Sequence, residues 1–159
     1  MAEANTRHLL VDGSNVMHAW PELRTLLPDG RDAARARLTE AVGVLHDLEG
    51  IRVTLVFDGR GAQLASQQPS GAATFTRLHT PAGVTADDAI IRLVRRDRRP
   101  ADCVVATDDR GERQAVEALG AAVISAEDLA GWVARAGQRQ GARMAAGRRD
   151  NEKRWRTHE

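Results

Sequence analysis

Residues 8–15 read HLLVDGSN, and this stretch decides the fold class. The run at residues 8–11 is mostly apolar and stops at Asp12-Gly13, which is the pattern of a short buried strand that ends in a tight turn. The pattern returns at residues 53–59 (VTLVFDG), where the apolar run stops at Asp58-Gly59. Further short strands are predicted at residues 103–106, 122–124 and, with a weaker pattern, 74–78. Such apolar runs are typical of strands that are buried on both faces of a parallel sheet.

Helical periodicity separates these strands along the chain. An apolar stripe that includes Leu38, Val42 and Leu45 predicts a helix over residues 31–48. Three further helices are predicted, around residues 90–94, at 109–119 and around 129–133. This alternation predicts an α/β fold, a three-layer α/β/α sandwich with a mainly parallel central sheet. We expect one domain over residues 1–137, followed by a basic C-terminal tail or helix extension over residues 138–159.

Composition limits the class of protein. A chain of 159 residues with 42% hydrophobic content supports one core and is too short for two ordinary domains. No stretch approaches the roughly 18 apolar residues of a membrane span, and the N-terminus lacks a signal-peptide pattern, so we expect a cytoplasmic protein with no membrane partner. Cys103 is the only cysteine, which excludes an internal disulfide and a multi-cysteine zinc site.

Charge is distributed unevenly. Residues 135–159 contain eight arginine or lysine residues and three acidic residues, a net charge of +5, so the remainder of the chain carries −4. The basic segment is predicted to attract a polyanion, although a solvated arginine-rich helix would have the same composition. The candidate substrate-binding residues in this segment are Arg139, Arg143, Arg148, Arg149 and Lys153.

Acidic residues follow the predicted strands. Asp12 ends the first strand, Asp58 ends the second, and Asp108 and Asp109 follow the strand at residues 103–106. Ligands of an open parallel sheet bind at the carboxyl ends of its strands, so we expect these acids to meet at one edge. Each aspartate alone is explained as a turn or helix cap, but recurrence after three strands favours a functional cluster.

Clustered carboxylates need a cation or a proton. Two like charges about 4 Å apart repel by around 4 kcal/mol at an effective dielectric constant of about 20. Oxygen ligands select hard ions, so Mg²⁺ or Mn²⁺ is the expected cofactor. Such a site can hydrolyse a phosphodiester without a catalytic lysine, and the only lysine of this chain, Lys153, lies in the tail.

Four motifs together resemble one family of nucleases. The motifs are DGSN at residues 12–15, FDGRG at 57–61, TADDAI at 85–90 and VVATDD at 104–109. In order and spacing they resemble the NYN domain proteins of the PIN-like nuclease superfamily, particularly the bacterial YacP-like branch. The resemblance extends from about His8 to Val133 and leaves the tail outside.

The resemblance implies a PIN-like fold and metal-dependent endoribonuclease activity, with RNA and the ribosome as partners because ribosome-associated mRNA cleavage occurs in the branch. By position, Asp12, Asp58, Asp87 and Asp109 match the family's catalytic, metal-binding acids. Asn15 matches the asparagine that accompanies the first acid, where its amide can hold a carboxylate or a substrate phosphate. Asp88 and Asp108 are the second candidates of their adjacent pairs.

Several other classes of protein share part of this pattern. Gly59 and Gly61 lack the third glycine of a dinucleotide-binding turn, and phosphatases or receiver domains with a strand-end aspartate need a lysine in the body of the domain. A noncatalytic RNA-binding or protein-interaction module with a PIN-like fold stays open, as does an enzyme that acts on a small phosphorylated molecule.

Other residues carry weaker predictions. The Gln- and Ser-rich stretch at residues 59–71 is predicted to be a mobile loop beside the site. Trp20 and Trp155 are candidates for base stacking, His18 for substrate contact and Trp132 for the core.

Overall fold

A computed structural model describes the backbone of residues 7–157 and the side chains of residues 7–141. A six-stranded sheet runs through its centre in the order β3-β4-β2-β1-β5-β6. The strands are β1 His8–Asp12, β2 Arg52–Phe57, β3 Ala65–Gln67, β4 Phe75–His79, β5 Cys103–Ala106 and β6 Ala122–Ile124. All neighbouring strands are parallel except β3, which pairs with β4 in the antiparallel sense.

Over residues 7–157, six α-helices accompany the sheet. They are α1 Gly13–Ala19, α2 Pro21–Arg24, α3 Arg31–Glu49, α4 Ala86–Arg96, α5 Arg110–Ala118 and α6 Ala126–Thr157. One core cluster joins the sheet to α1, α3 and α6, and a second joins its other face to α4 and α5. This arrangement confirms the predicted three-layer α/β/α sandwich with a mainly parallel sheet. Within the described backbone, no helix combines the length and apolar character of a membrane span.

The predicted strands, and the helices predicted at residues 31–48 and 109–119, lie within two residues of their observed bounds. The helices predicted around residues 90–94 and 129–133 are longer than predicted, and the sequence pattern did not predict α1 or α2. One predicted loop also differs. The stretch at residues 59–71, predicted as a loop, contains β3. The sequence gives no strand signal there, because all three residues of β3 are exposed and none is packed in a core. The pairing with β4 forms this strand instead.

The C-terminal helix continues through the segment that was predicted to be a tail or a helix extension. α6 begins beside β6 and reaches Thr157 in one helix. The last residue of α6 that is buried, among those whose side chains are described, is Ala136. The helix therefore packs on the core over its first part only, as far as the described side chains show.

Candidate active site

The four predicted acids Asp12, Asp58, Asp87 and Asp109 lie together at the carboxyl edge of the sheet. They line one open cavity of about 280 Å³. Asp12 is the last residue of β1, Asp58 follows β2, Asp109 follows β5, and Asp87 lies in the first turn of α4. The cavity is also lined by Ser14, Asn15, His18 and Arg31.

Three of these aspartates also bind the beginning of a helix. The Asp12 carboxylate accepts a hydrogen bond from the backbone N–H of Asn15 at 3.1 Å, in α1. Asp58 Oδ1 accepts from the backbone N–H of Ala86 at 2.6 Å, where α4 begins. Asp109 Oδ1 accepts from the backbone N–H of Glu112 at 2.8 Å, in α5. Helix capping and clustering are thus properties of the same carboxylates.

Only one aspartate of each adjacent pair, Asp87-Asp88 and Asp108-Asp109, lines the acid cavity. Asp88 is exposed, and its backbone N–H donates to the Thr85 hydroxyl in the cap of α4. Asp108 Oδ1 accepts from the backbone N–H of Ala126 at 2.9 Å, which caps α6. Neither Asp88 nor Asp108 lines the cavity that contains Asp87 and Asp109.

The DGSN motif connects three strand ends. Asn15 Oδ1 accepts a hydrogen bond from the backbone N–H of Asp108 at 2.9 Å, which ties α1 to the end of β5. Ser14 Oγ accepts from the backbone N–H of Asp58 at 3.0 Å, which ties α1 to the end of β2. These two bonds fix the acids that follow β2 and β5 relative to Asp12. The sequence pattern did not single out Ser14.

Glu112 is a site residue that the sequence did not predict. It is 1% exposed, and its Oε2 accepts a hydrogen bond from the Thr107 hydroxyl at 2.8 Å. Its Oε1 is buried and has no hydrogen-bond partner. The signal in the sequence is faint: Glu112 and Val116 share the buried face of α5 at a spacing of four residues. A glutamate three residues after a capping aspartate resembles an ordinary helix-start residue.

Glu112 and Asp12 perturb each other. Burial, and then the contact with the Asp12 carboxyl, raise the pKa of Glu112 to about 10. Burial also raises the pKa of Asp12, and the nearby Asp58 and Asp87 carboxylates act in the same direction. Two carboxyl groups in this position need either a shared proton or a cation.

The donor set fits a hard divalent cation. The cavity offers carboxylate oxygens, and Glu112 Oε1 is a buried acceptor that lacks a donor. Among the described residues, no three of these acids have ligand atoms that all lie within 4.8 Å of one another. This spacing leaves room for water in the coordination sphere, which Mg²⁺ commonly retains.

A basic groove adjoins the acid cavity. A second open cavity of about 620 Å³ shares Asp58 and Arg31 with the first. It is also lined by Arg35, Arg60 and Asp32, and Asp32 pairs with Arg35 at 3.5 Å. The Arg35 guanidinium lies 5.6 Å from the centre of the Phe57 ring and donates to the Asp58 carbonyl at 3.4 Å. Part of the stretch at residues 59–71 lines this groove, so that stretch does lie beside the candidate site.

The C-terminal basic residues begin at the other edge of the sheet. Arg139 pairs with Glu49, which ends α3 three residues before β2 begins. This position is at the amino ends of the strands, opposite the acids. Arg143, Arg148, Arg149 and Lys153 lie outside the residues whose side chains are described, as does Trp155.

Trp20 is not available to stack on a base, so that prediction was wrong. The side chain is 6% exposed, and its indole N–H donates to the Ala126 carbonyl at 2.7 Å. Trp20 therefore joins the end of α1 to the beginning of α6 in the core. Trp132 packs partly buried against the same core, as predicted, and His18 is exposed at the acid cavity.

Comparisons with known proteins agree with the fold. The family model of the YacP-like NYN domain matches residues 9–159, and so includes the C-terminal segment that the resemblance had left outside. The uncharacterized protein YacP of Bacillus subtilis is 32% identical over 125 residues, which are 76% of this chain and 71% of that protein. Two crystal structures of Rae1 (YacP) from Bacillus subtilis are similar to this structure at 28% identity. The tryptophan-to-leucine mutant has a TM-score of 0.75 with coverage of 89% and 83% of the two chains, and the other structure has 0.72 with 89% and 81%.

Proposed function

Because this chain belongs to the YacP-like NYN domain family, which has a PIN-like, nuclease-type fold, we propose that it is a divalent-metal-dependent endoribonuclease that hydrolyses RNA phosphodiester bonds. One observation carries the proposal. The buried carboxyl pair of Asp12 and Glu112 lies beside the other aspartates of an open cavity, where repulsion is relieved only by a proton or a cation.

Asp12, Asp58, Asp87 and Asp109 would hold Mg²⁺ or Mn²⁺. When bound, the ion activates water and neutralises charge that develops on a phosphodiester. Glu112 contacts the Asp12 carboxyl and does not line the cavity, so it is a positioning residue. The Asn15 carbonyl is already bonded to Asp108, which leaves its amide N–H groups for a substrate phosphate.

RNA would reach the acids along the basic groove. Arg31 lines both cavities, and Arg60 is exposed farther along the groove, so a strand that follows this wall keeps its phosphates near positive charge. The basic part of α6, with Arg139, Arg143, Arg148, Arg149 and Lys153, would add attraction for a longer RNA at the opposite edge. The resemblance extends the proposal to mRNA on the ribosome in the cytoplasm.

A second candidate function is noncatalytic RNA or protein binding. The capping bonds of Asp12, Asp58 and Asp109 favour it, because they give these acids a structural purpose that needs no metal. A measurement of metal binding separates the two functions.

The test is cleavage of labelled single-stranded RNA with Mn²⁺ or Mg²⁺, with EDTA as the metal-free control. We expect cleavage only with metal, and we expect Asp12→Asn, Asp58→Asn and Asp109→Asn each to remove most activity, since each loses one anionic metal ligand. Asp47→Asn is the matched control, because Asp47 is exposed near the end of α3 and pairs with His46.

Thermal melts of the same proteins identify the noncatalytic alternative. Metal at about a hundredfold excess over its Kd should stabilise the wild type by about 2.7 kcal/mol, and this gain should shrink in Asp12→Asn. Cleavage that continues in EDTA contradicts the mechanism. A wild-type melting temperature that ignores millimolar Mn²⁺, without cleavage, supports the noncatalytic function.

A further inference from the structure

Three side chains of different chemistry meet at the amino edge of the sheet, opposite the acid cavity. His8 begins β1 and Cys103 begins β5, and these two residues are direct partners in the parallel pairing of the strands. Asp97 follows α4 and reaches the same place. The ligand atoms of His8, Asp97 and Cys103 all lie within 4.8 Å of one another.

The distances between these atoms fit a tetrahedral metal site. Asp97 Oδ2 lies 3.4 Å from Cys103 Sγ and 3.7 Å from His8 Nδ1. In a tetrahedral Zn²⁺ site with a Zn–S bond of about 2.3 Å and Zn–N or Zn–O bonds of about 2.0 Å, ligand atoms are about 3.3–3.5 Å apart. Since all three ligand atoms lie within 4.8 Å of one another, a small closing movement lets the group share one ion.

The His8 ring is oriented toward this position. His8 Nε2 and the Thr54 hydroxyl are hydrogen-bonded at 2.7 Å, a contact that holds the ring as outer-shell partners hold metal-binding histidines. His8 Nδ1 is buried and has no hydrogen-bond partner, since 3.7 Å from Asp97 is too long for a hydrogen bond. The His8 Nδ1 atom is thus buried beside a carboxylate and a thiol but forms no hydrogen bond with either.

We propose that His8, Asp97 and Cys103 bind a thiophilic divalent cation of the Zn²⁺ class. The donor set of nitrogen, oxygen and sulfur differs from the oxygen donors of the acid cavity, which select Mg²⁺ or Mn²⁺. Cys103 is buried and Asp97 is partly exposed, so solvent reaches the group from the side of Asp97 and can supply a fourth ligand. The ion would join β1, β5 and the end of α4.

Binding requires the loss of one proton. The metal ligand is the thiolate, so the Cys103 S–H proton passes to solvent as the ion enters, and uptake releases one proton per ion. The neighbouring charged residues Arg52 and Asp102 have opposite signs. The spacing of the histidines in the sequence gives no sign of this site, because its other two ligands come from the residue after α4 and from β5.

Cobalt(II) tests the site directly, since a cysteine thiolate bound to Co²⁺ gives a charge-transfer band in the near ultraviolet. The chain has a single cysteine, so any such band reports on Cys103. We expect the band in the wild type and in Asp12→Asn, in which the acid cavity is altered. We expect it to be absent in Cys103→Ser, and Co²⁺ affinity to fall by at least about tenfold in His8→Gln.

The matched control is His46→Gln. His46 Nδ1 lies 2.9 Å from Asp47 Oδ1 and Nε2 lies 2.7 Å from Thr74 Oγ1, so it resembles His8 in its Asp and Thr neighbours but has no cysteine. This variant should bind Co²⁺ like the wild type. Equimolar Zn²⁺ should raise the melting temperature of the wild type and not that of His8→Gln, which decides the matter if Cys103→Ser fails to fold.

Two results overturn the proposal: no thiolate band in the wild type at saturating Co²⁺, or equal Co²⁺ affinity in the wild type and His8→Gln. Both are independent of RNA cleavage. Failure of the nuclease proposal leaves the band in place, and failure of this site leaves Mn²⁺-dependent cleavage in place.

Discussion

Asp12 and Glu112 are two carboxyl groups that the fold buries in contact with each other. Glu112 is buried, yet one of its oxygens has no donor and its carboxyl contacts Asp12. An uncompensated buried charge is costly, so the metal-free protein must keep a proton in the pair. In the proposed function, a cation bound near Asp12 would take the place of that proton.

Replacing Glu112 by Gln tests this account. The glutamine N–H can donate permanently to Asp12 while its carbonyl accepts from Thr107, so the metal-free melting temperature should be equal to or higher than that of the wild type. The gain on adding Mn²⁺ should shrink, together with RNA cleavage. Glu117→Gln, on the exposed side of α5, should change neither. A lower metal-free melting temperature with an undiminished Mn²⁺ gain would make Glu112 a purely structural residue.

The sequence predicts the aspartates of the site better than it predicts the residues that hold those aspartates in place. Asp12, Asp58 and Asp109 follow strands with strong apolar patterns, so their shared edge follows from the topology of a parallel sheet. Glu112 and Ser14 contribute through contacts between elements, which no local pattern records. Trp20 failed as a base-stacking candidate for the same reason, because its partner Ala126 is more than a hundred residues away.

At the scale of elements, the approach of α1 to β2 sets the position of Asp12. A methyl group at Gly13 would lie 2.6 Å from Phe57 Cδ1 and 2.9 Å from the Val56 carbonyl oxygen. Both partners are in the buried strand β2 and neither can move freely. Glycine at this position lets the helix begin directly where β1 ends.

Gly13→Ala should therefore lower the free energy of unfolding by about 1–3 kcal/mol, measured by urea unfolding, because it overpacks this contact. It should also reduce RNA cleavage, since α1 carries the backbone N–H that holds Asp12. Gly137→Ala is the control, because a methyl group at this position meets nothing within 4 Å. Alanine in place of a helical glycine should raise the free energy of unfolding by up to about 1 kcal/mol. Equal stability of Gly13→Ala and the wild type would show that α1 adjusts freely.

At the scale of the whole molecule, positive charge lies at two separate places. The groove with Arg31 and Arg60 adjoins the acids, whereas the basic part of α6 extends from the opposite edge, where Arg139 pairs with Glu49. In the proposed function, the first would position a scissile phosphate and the second would only increase the attraction for RNA. The net charge of the C-terminal segment predicted the basic part of α6 from the sequence. The groove was not predicted, because the fold brings its residues together from separate parts of the chain.

Deleting residues 138–159 should weaken RNA binding at low salt and flatten the dependence of log K on log salt. Each basic residue that stops contacting a phosphate of single-stranded RNA lowers the slope by about 0.7. The protein should stay folded, because Ala136 is the last buried residue of α6 among the described side chains, and cleavage should persist at high RNA concentration. An unchanged salt slope after the deletion would leave the C-terminal segment without a part in binding.

The double variant Arg31→Ala, Arg60→Ala should instead reduce cleavage at saturating RNA.

The hydrogen bonds from aspartates to helix starts have an evolutionary consequence. Asp12, Asp58, Asp108 and Asp109 each hold a helix, so purifying selection for folding alone would keep them in a lineage that no longer cut RNA. Asp87 has no side-chain hydrogen bond among the described residues, and Glu112 is costly to bury. If catalysis were lost, substitutions should therefore accumulate first at Asp87 and Glu112. In descendants of this chain, those two positions, rather than the four capping aspartates, would distinguish an enzyme from an inactive paralogue.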